Sequence, residues 1–184
     1  MSSSVRTRRL DNEWAFLERL AAHNPGVLEA LRREARADAD LFHVALHRTS
    51  ALSLANPSAV AASDSHAVAF RYPEYYPSVP IEALLATPVF HPNVHPETGF
   101  VCLWNRFSPG DTILEAVRQL QRVITWELSN SSVEHLMQPE ALHWTPDVKL
   151  PLAYEPVSVP TELLLERTFA RKPGDWRRRQ RLTR

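Results

Sequence analysis

The sequence predicts a single α/β (α+β) domain, and three observations indicate it. The chain has 184 residues, 44% of them hydrophobic, which is enough for one core with short appendages. Apolar residues recur at helical spacing near the N-terminus and again after residue 112, whereas segments between them alternate with a period of two. We therefore expect an N-terminal helix, an antiparallel meander of about four strands, and a long helix in the C-terminal half.

The N-terminal helix is predicted over Leu10 to Ala22, where apolar side chains three or four residues apart share one face. Asn24-Pro25-Gly26 ends it, because proline cannot continue a helix. The next residues, 27–39, are ambiguous from composition, since alanine, leucine, arginine and glutamate favour a helix. The apolar face of the first helix comprises Leu10, Trp14 and Leu17.

Strands are predicted at Leu41–His47 and His66–Tyr72, which both alternate with a period of two, and a short one at Leu84–Thr87. The three prolines within Tyr72–Pro80 exclude regular ladder pairing there, so this stretch is a loop.

The long helix is predicted from Thr112 to about Glu127, with Asp111 as its N-cap. A short further helix is expected at Pro139–Leu142, and Thr161 is placed to start a last one in a proline-rich tail. The buried stripe of the long helix comprises Ile113, Val117, Leu120 and Ile124.

The only cysteine of the chain, Cys102, follows the tripeptide His91-Pro92-Asn93 after a short loop. A lone thiol cannot form an intramolecular disulfide, and without a CxxC pair a zinc site is not expected. Thr87–Val94 and Gly99–Leu103 resemble the active-site pattern of E2 ubiquitin-conjugating enzymes, TPxxHPNV followed by GxxCL.

A second segment carries the same resemblance. Residues 72–81 are similar to the family pattern FPxxYPxxPP, with Tyr76 and Pro77 in matching positions. Tyr72 replaces the phenylalanine and Ile81 replaces the final proline. The loop from Asn93 to Cys102 is also one residue longer than in common eukaryotic members, so the rim of the site differs.

The resemblance implies a UBC-like fold for residues 10–144 and places the first strand near Val27–Leu31, against the helical composition. Residues 1–9 are expected to be a flexible basic N-terminus. Residues 145–184 are expected to be a proline-rich tail with a short helix and a basic end. We expect Leu163-Leu164-Leu165 and Phe169 to pack on the domain or on a partner, because so short a helix rarely persists alone.

The resemblance also implies the chemistry. An E1-like enzyme would pass the C-terminal glycine of a ubiquitin-like protein to Cys102, and a lysine amine of a target protein would then attack the thioester. Asn93 would stabilise the oxyanion, while His91 and Pro92, like the Tyr76-Pro77 motif, would brace the loop. No cofactor is implied. Ser132 and Glu134 are candidates for the gate that receives the incoming lysine, and the need for a separate E3 stays open.

Other functions remain as alternatives. A Cys-His protease would use His135 or His143 as its base, but Cys102 lies in an apparently extended segment instead of at a helix start. A non-catalytic E2 variant would bind ubiquitin-like proteins, although such variants lack the cysteine. The arginine-rich termini predict only nonspecific nucleic-acid contact.

The biological setting is predicted from the same resemblance and from composition. No signal peptide or membrane span is recognised in the sequence, so a cytoplasmic location is expected. The shortened, arginine-rich form is most similar to prokaryotic E2 relatives of ubiquitin-like conjugation operons linked to antiviral defence. Within that class, the alternative is an enzyme that joins the C-terminus of a signalling nucleotidyltransferase to its targets.

Overall fold

The structure is a computed structural model that describes residues 5–56, 59–142 and 152–169. Five antiparallel strands form one meander in chain order, with helices packed against it. The elements are α1 (Val5–His23), β1 (Leu28–Ala35), β2 (Ala39–Asn56), β3 (Ala59–Pro73), β4 (Glu82–Leu85), β5 (Phe100–Val101), α2 (Ile113–Ile124), a 3-10 turn (Val133–His135), α3 (Pro139–Leu142) and α4 (Thr161–Phe169). No helix among the described residues has the length and apolar character needed to cross a membrane.

Helix α1 begins at Val5, five residues earlier than predicted. Arg6 donates to the Asp40 carboxylate at 2.8 Å, and Arg9 donates to the Pro109 carbonyl at 2.7 Å. These bonds fix the first helical turns to the sheet and to the loop before α2. The flexible N-terminus expected for residues 1–9 is therefore wrong for residues 5–9.

The strand predicted near residues 27–31 is confirmed. Most of residues 27–39 are extended, although their composition favours a helix. Strand β1 pairs with β2 from Leu28 opposite Leu46 to Ala35 opposite Asp40. Pairing supplies the backbone hydrogen bonds that a helix would make locally, so tertiary context outweighs propensity. The sheet has one strand more than expected, because the two residues of β5 pair with Ala83 and Leu84 of β4.

Helix α2 lies against the sheet with its predicted stripe fully buried. Its N-cap is Thr112 and not Asp111; the Thr112 N–H donates to the Glu115 carboxylate at 2.8 Å, as in a capping box. The first helical N–H, of Ile113, donates to the buried Glu13 carboxylate of α1 at 2.9 Å. One acidic side chain thus joins the two helices.

Part of the tail packs along the domain. Tyr154 forms an isolated bridge with Thr49 of β2, and Val157 and Leu163 are buried in the main core. The packing on the domain predicted for the tail is confirmed for Leu163, whereas Leu164 and Leu165 are 44% and 49% exposed. Their packing on a partner stays a prediction, and the side chain of Phe169 lies outside the described ones.

Candidate active site

Backbone pairing places Cys102 beside Asn93. The chain leaves β5 at Val101, which forms an antiparallel bridge with Val94. One residue further along, the Cys102 N–H donates to the Asn93 carbonyl at 2.9 Å. The two residues that the resemblance paired therefore face each other across two short extended segments. The Cys102 side chain is half-buried, so an acyl donor can reach the sulfur.

A tight loop reverses the chain between these two segments. The His95 N–H donates to the Phe100 carbonyl at 2.8 Å, and the Gly99 N–H donates to the His95 carbonyl at 3.0 Å. Gly99 has a φ of +67°, and its carbonyl accepts the Leu85 N–H of β4 at 2.8 Å. Glycine adopts this left-handed conformation without the steric cost that other residues meet. Gly99 therefore fixes the approach of the chain to Cys102.

The Cys102 thiol lies against a histidine. The Sγ atom is 2.8 Å from Nδ1 of His135, in the 3-10 turn after α2. Burial raises the pKa of the Cys102 thiol, and a hydrogen bond from the backbone of Trp104 opposes the rise. The thiol therefore rests in its protonated form at neutral pH, and a neighbouring base is needed to make the thiolate nucleophile.

The Asn93 carboxamide is buried and makes three hydrogen bonds to the segment that carries His135. Its Nδ2 donates to the carbonyls of Asn130 at 2.7 Å and His135 at 2.9 Å, and its Oδ1 accepts the Asn130 N–H at 2.7 Å. Only this orientation of the amide satisfies two carbonyls and one N–H. Asn93 therefore holds the histidine segment in place, and both of its N–H groups are occupied.

Two further residues anchor the same segment. The Pro92 carbonyl accepts the N–H groups of Met137 at 2.8 Å and Gln138 at 3.2 Å. The buried Gln138 side chain donates to the carbonyls of Val89 at 2.9 Å and Val94 at 2.7 Å. Residues 130–138 are thus hydrogen-bonded to the His91-Pro92-Asn93 turn on both sides of His135, which limits the positions its ring can take.

His91 is fully buried and supports the His91-Pro92-Asn93 turn through its ring. Its Nδ1 accepts the Asn93 N–H at 3.1 Å, and its ring contacts the Trp126 ring edge-on at a centroid distance of 4.8 Å. Burial lowers the pKa of His91 to about 4. The ring is therefore neutral, with its proton on Nε2, and these contacts support the bracing role implied by the resemblance.

The Tyr76-Pro77 motif braces a neighbouring part of the domain. The Tyr76 hydroxyl accepts from Arg9 Nε at 3.0 Å and donates to the Glu13 carboxylate at 3.1 Å. The peptide bond between Tyr76 and Pro77 is cis. These contacts link the loop to α1 and give the motif a structural place.

Solved structures with this architecture were found. Two proteins assigned as ubiquitin-conjugating enzymes each have a TM-score of 0.51 and 19% identity: one from Trypanosoma cruzi, covering 78% of this chain and 90% of that chain, and one from Plasmodium yoelii, covering 77% and 83%. The chain has the ubiquitin-conjugating (UBC) fold. Protein PEROXIN-4 of Arabidopsis thaliana is 41% identical over 56 residues, 29% of this chain and 36% of that protein. The match thus spans about a third of that relative, and no protein-family model matches the sequence.

Within the UBC fold, the two predicted gate residues lie in the same segment as His135 and are not hydrogen-bonded to the Cys102 sulfur. Their role as the gate for an incoming lysine stays a prediction. The Ser132 hydroxyl donates to Asn130 Oδ1 at 2.7 Å. Glu134 is exposed, and its carboxylate makes no hydrogen bond or ion pair within the part of the chain that the structure describes. The side chain that the structure places against the Cys102 sulfur is that of His135. From the sequence, His135 is predicted only as the base of a protease, and His143, the other candidate, lies outside the described residues.

The buried neutral His91 makes stability dependent on pH. Its pKa is about 4 in the folded state and ~6.5 in an unfolded chain, so the unfolded state binds more protons between these values. The stabilisation is complete above the unfolded value and is lost as the pH falls through this window. We expect the free energy of unfolding to drop by about 2 kcal/mol between pH 7 and pH 5 from His91 alone.

Urea denaturation at several pH values measures this effect. His91→Asn, which can still accept the Asn93 N–H, should show a shallower decline than the wild-type protein. A residual slope is expected in the variant, because burial also lowers the pKa of His66. Equal slopes in the two proteins would contradict the neutral, buried state of His91.

Proposed function

We propose that this protein is an E2-type conjugating enzyme. Cys102 accepts the C-terminal glycine of a ubiquitin-like protein from an E1-like enzyme as a thioester, and the acyl group then passes to a lysine amine of a target. The observation that carries the proposal is the half-buried thiol of Cys102, in a UBC fold, on a residue whose backbone N–H donates to the Asn93 carbonyl. A thioester retains the acyl-transfer potential that this reaction requires.

The test is formation of a thiol-reversible adduct. The protein is incubated with ubiquitin, a ubiquitin E1 and ATP, and in parallel with ubiquitin bearing a C-terminal thioester of a small thiol, which bypasses E1 recognition. We expect an adduct that dithiothreitol removes, that Cys102→Ala abolishes, and that Cys102→Ser converts to a thiol-resistant ester. An adduct that survives Cys102→Ala, or a wild-type protein unreactive toward the thioester, would overturn the proposal.

A cysteine hydrolase is the second candidate, because the 2.8 Å contact between Cys102 Sγ and His135 Nδ1 is also what a Cys-His protease requires. The two functions differ in the fate of the acyl group. A hydrolase releases it to water at a high rate without any added amine, whereas a conjugating enzyme keeps the thioester until an acceptor arrives. The loss of the charged adduct in buffer alone, compared with its loss in free lysine, separates them.

The finer proposal is a cytoplasmic enzyme of a bacterial antiviral conjugation system, supported by the arginine-rich composition and by the resemblance to prokaryotic members. Its partners would be an E1-like enzyme, a ubiquitin-like protein and a target. Neighbouring genes for an E1, a ubiquitin-like protein and a deconjugating protease support this setting. A neighbouring cyclic-nucleotide synthase would instead favour conjugation of a nucleotidyltransferase.

A further inference from the structure

The side chain of His135 contacts the reacting sulfur, and the reaction proposed above assigns this histidine no role. We propose that His135 is the general base of acyl transfer, taking the proton of the incoming amine at the Cys102 thioester. The inference rests on the function proposed above and names the residue that activates the acceptor.

The geometry of the contact supports this role. His135 Nδ1 lies 2.8 Å from Cys102 Sγ, and the thioester carbonyl carbon is bonded to that same sulfur. A nucleophile that approaches this carbon from the side of His135 comes within hydrogen-bond reach of Nδ1, which is the first requirement for a general base. The position is built into the fold, because Asn93 accepts and donates hydrogen bonds on both sides of the turn that carries the ring.

A base is needed because the acceptor is positively charged in water. A free lysine amine titrates near ~10.4, so at neutral pH almost all of it is protonated and unreactive. In this structure the Ser132 hydroxyl donates to Asn130 and Glu134 is exposed, so their part in receiving the lysine stays a prediction. Among the side chains the structure describes, His135 is the titratable group hydrogen-bonded to the sulfur.

In the first half of the reaction, formation of the Cys102 thioester, His135 carries the proton from Cys102 to the E1 cysteine. The Cys102 S–H proton moves to Nδ1, and the thiolate attacks the thioester carbonyl of the modifier on the E1. A carbon–sulfur bond to Cys102 forms while the bond to the E1 cysteine breaks. The departing E1 thiolate takes the proton, so the ring returns to its neutral form.

Discharge uses the same nitrogen in the second half of the reaction. The lysine ammonium first loses one proton to water. The neutral amine then attacks the thioester carbon, forming the carbon–nitrogen bond, and the second, excess proton passes to Nδ1. The carbon–sulfur bond then breaks, and the leaving Cys102 sulfur recovers the proton from the imidazolium. The products are an amide and the free thiol, with no other reactant required.

The experiment measures single-turnover discharge of protein charged with the ubiquitin thioester. The two lysines, Lys149 and Lys172, are replaced by arginine so that self-conjugation does not compete. Discharge is followed with free lysine and with hydroxylamine, which is uncharged at neutral pH and depends less on a base. The proteins compared are wild type, His135→Ala, and the control Val133→Ala, an 86% exposed side chain of the same 3-10 turn.

We expect His135→Ala to slow discharge to lysine by about 100-fold, in the lower range for general-base catalysis, and to slow discharge to hydroxylamine by much less. Added imidazole should restore part of the lysine rate, and Val133→Ala should behave as wild type. An equal loss with both nucleophiles and no rescue would show a merely structural residue, and an unchanged rate would exclude the base role. Failure of wild-type protein to charge would instead reject the proposed function itself.

Discussion

Gly99→Ala is expected to destabilise the protein by about 3 kcal/mol or more, which is among the larger effects of a single substitution. Gly99 has a φ of +67°, and a Cβ atom there would lie 1.9 Å from the backbone oxygen of Leu85. Leu85 belongs to β4 and cannot retreat without breaking its pairing with Val68 of β3. The free energy of unfolding, measured by urea denaturation, reports the change.

Two other glycines separate the causes of this effect. Gly26 has a φ of +74°, and its added Cβ would meet the flexible Arg48 side chain at 3.2 Å, so Gly26→Ala should cost about 1 to 2 kcal/mol for conformation alone. Gly110 has an ordinary φ, and its nearest atom is the Ser108 hydroxyl oxygen at 3.6 Å, so Gly110→Ala should change stability by less than about 0.5 kcal/mol. If Gly99→Ala costs no more than Gly26→Ala, the close approach to β4 is wrong.

Asn93→Ala is expected to slow discharge of the charged enzyme by about 100-fold. The substitution removes three hydrogen bonds to Asn130 and His135, so the turn that carries the His135 ring loses its anchor beside Cys102. The Asn130 and His135 groups left without partners should also lower the free energy of unfolding by about 1 to 3 kcal/mol. Single-turnover discharge to lysine and urea denaturation measure the two effects.

A double-mutant cycle decides between two roles for Asn93. In this structure both of its N–H groups are bound to carbonyls of residues 130 and 135, so we expect it to act by positioning His135. The double variant Asn93→Ala/His135→Ala should then discharge no more slowly than the slower single variant. An Asn93 that instead donates to the oxyanion would act independently of the base, and the two losses would multiply.

Much of the fold was predictable because its signals are local. The stripe of α2 repeats with the helical period and is buried as expected, and the period-two runs became the paired cores of β2 and β3. The pairing of Cys102 with Asn93 was also accessible, since both residues belong to short contiguous motifs joined by one loop. In each case the pattern lies within a few residues of the feature that it predicts.

Contacts between distant segments decided the rest. The composition of β1 favours a helix, and only the family resemblance indicated a strand there; its physical cause is the hydrogen-bond partners that β2 offers. Helix α1 starts earlier than its apolar pattern predicts because Arg6 donates to Asp40 on the sheet. His135 lies 33 residues from Cys102 in the chain. The sequence offered it only as one of two candidate bases of a protease, with nothing to indicate which of the two meets the thiol. Sequence patterns report which residues share a face or a loop, whereas contacts between distant segments depend on the register of the whole sheet and on the hydrogen bonds that close a loop upon it.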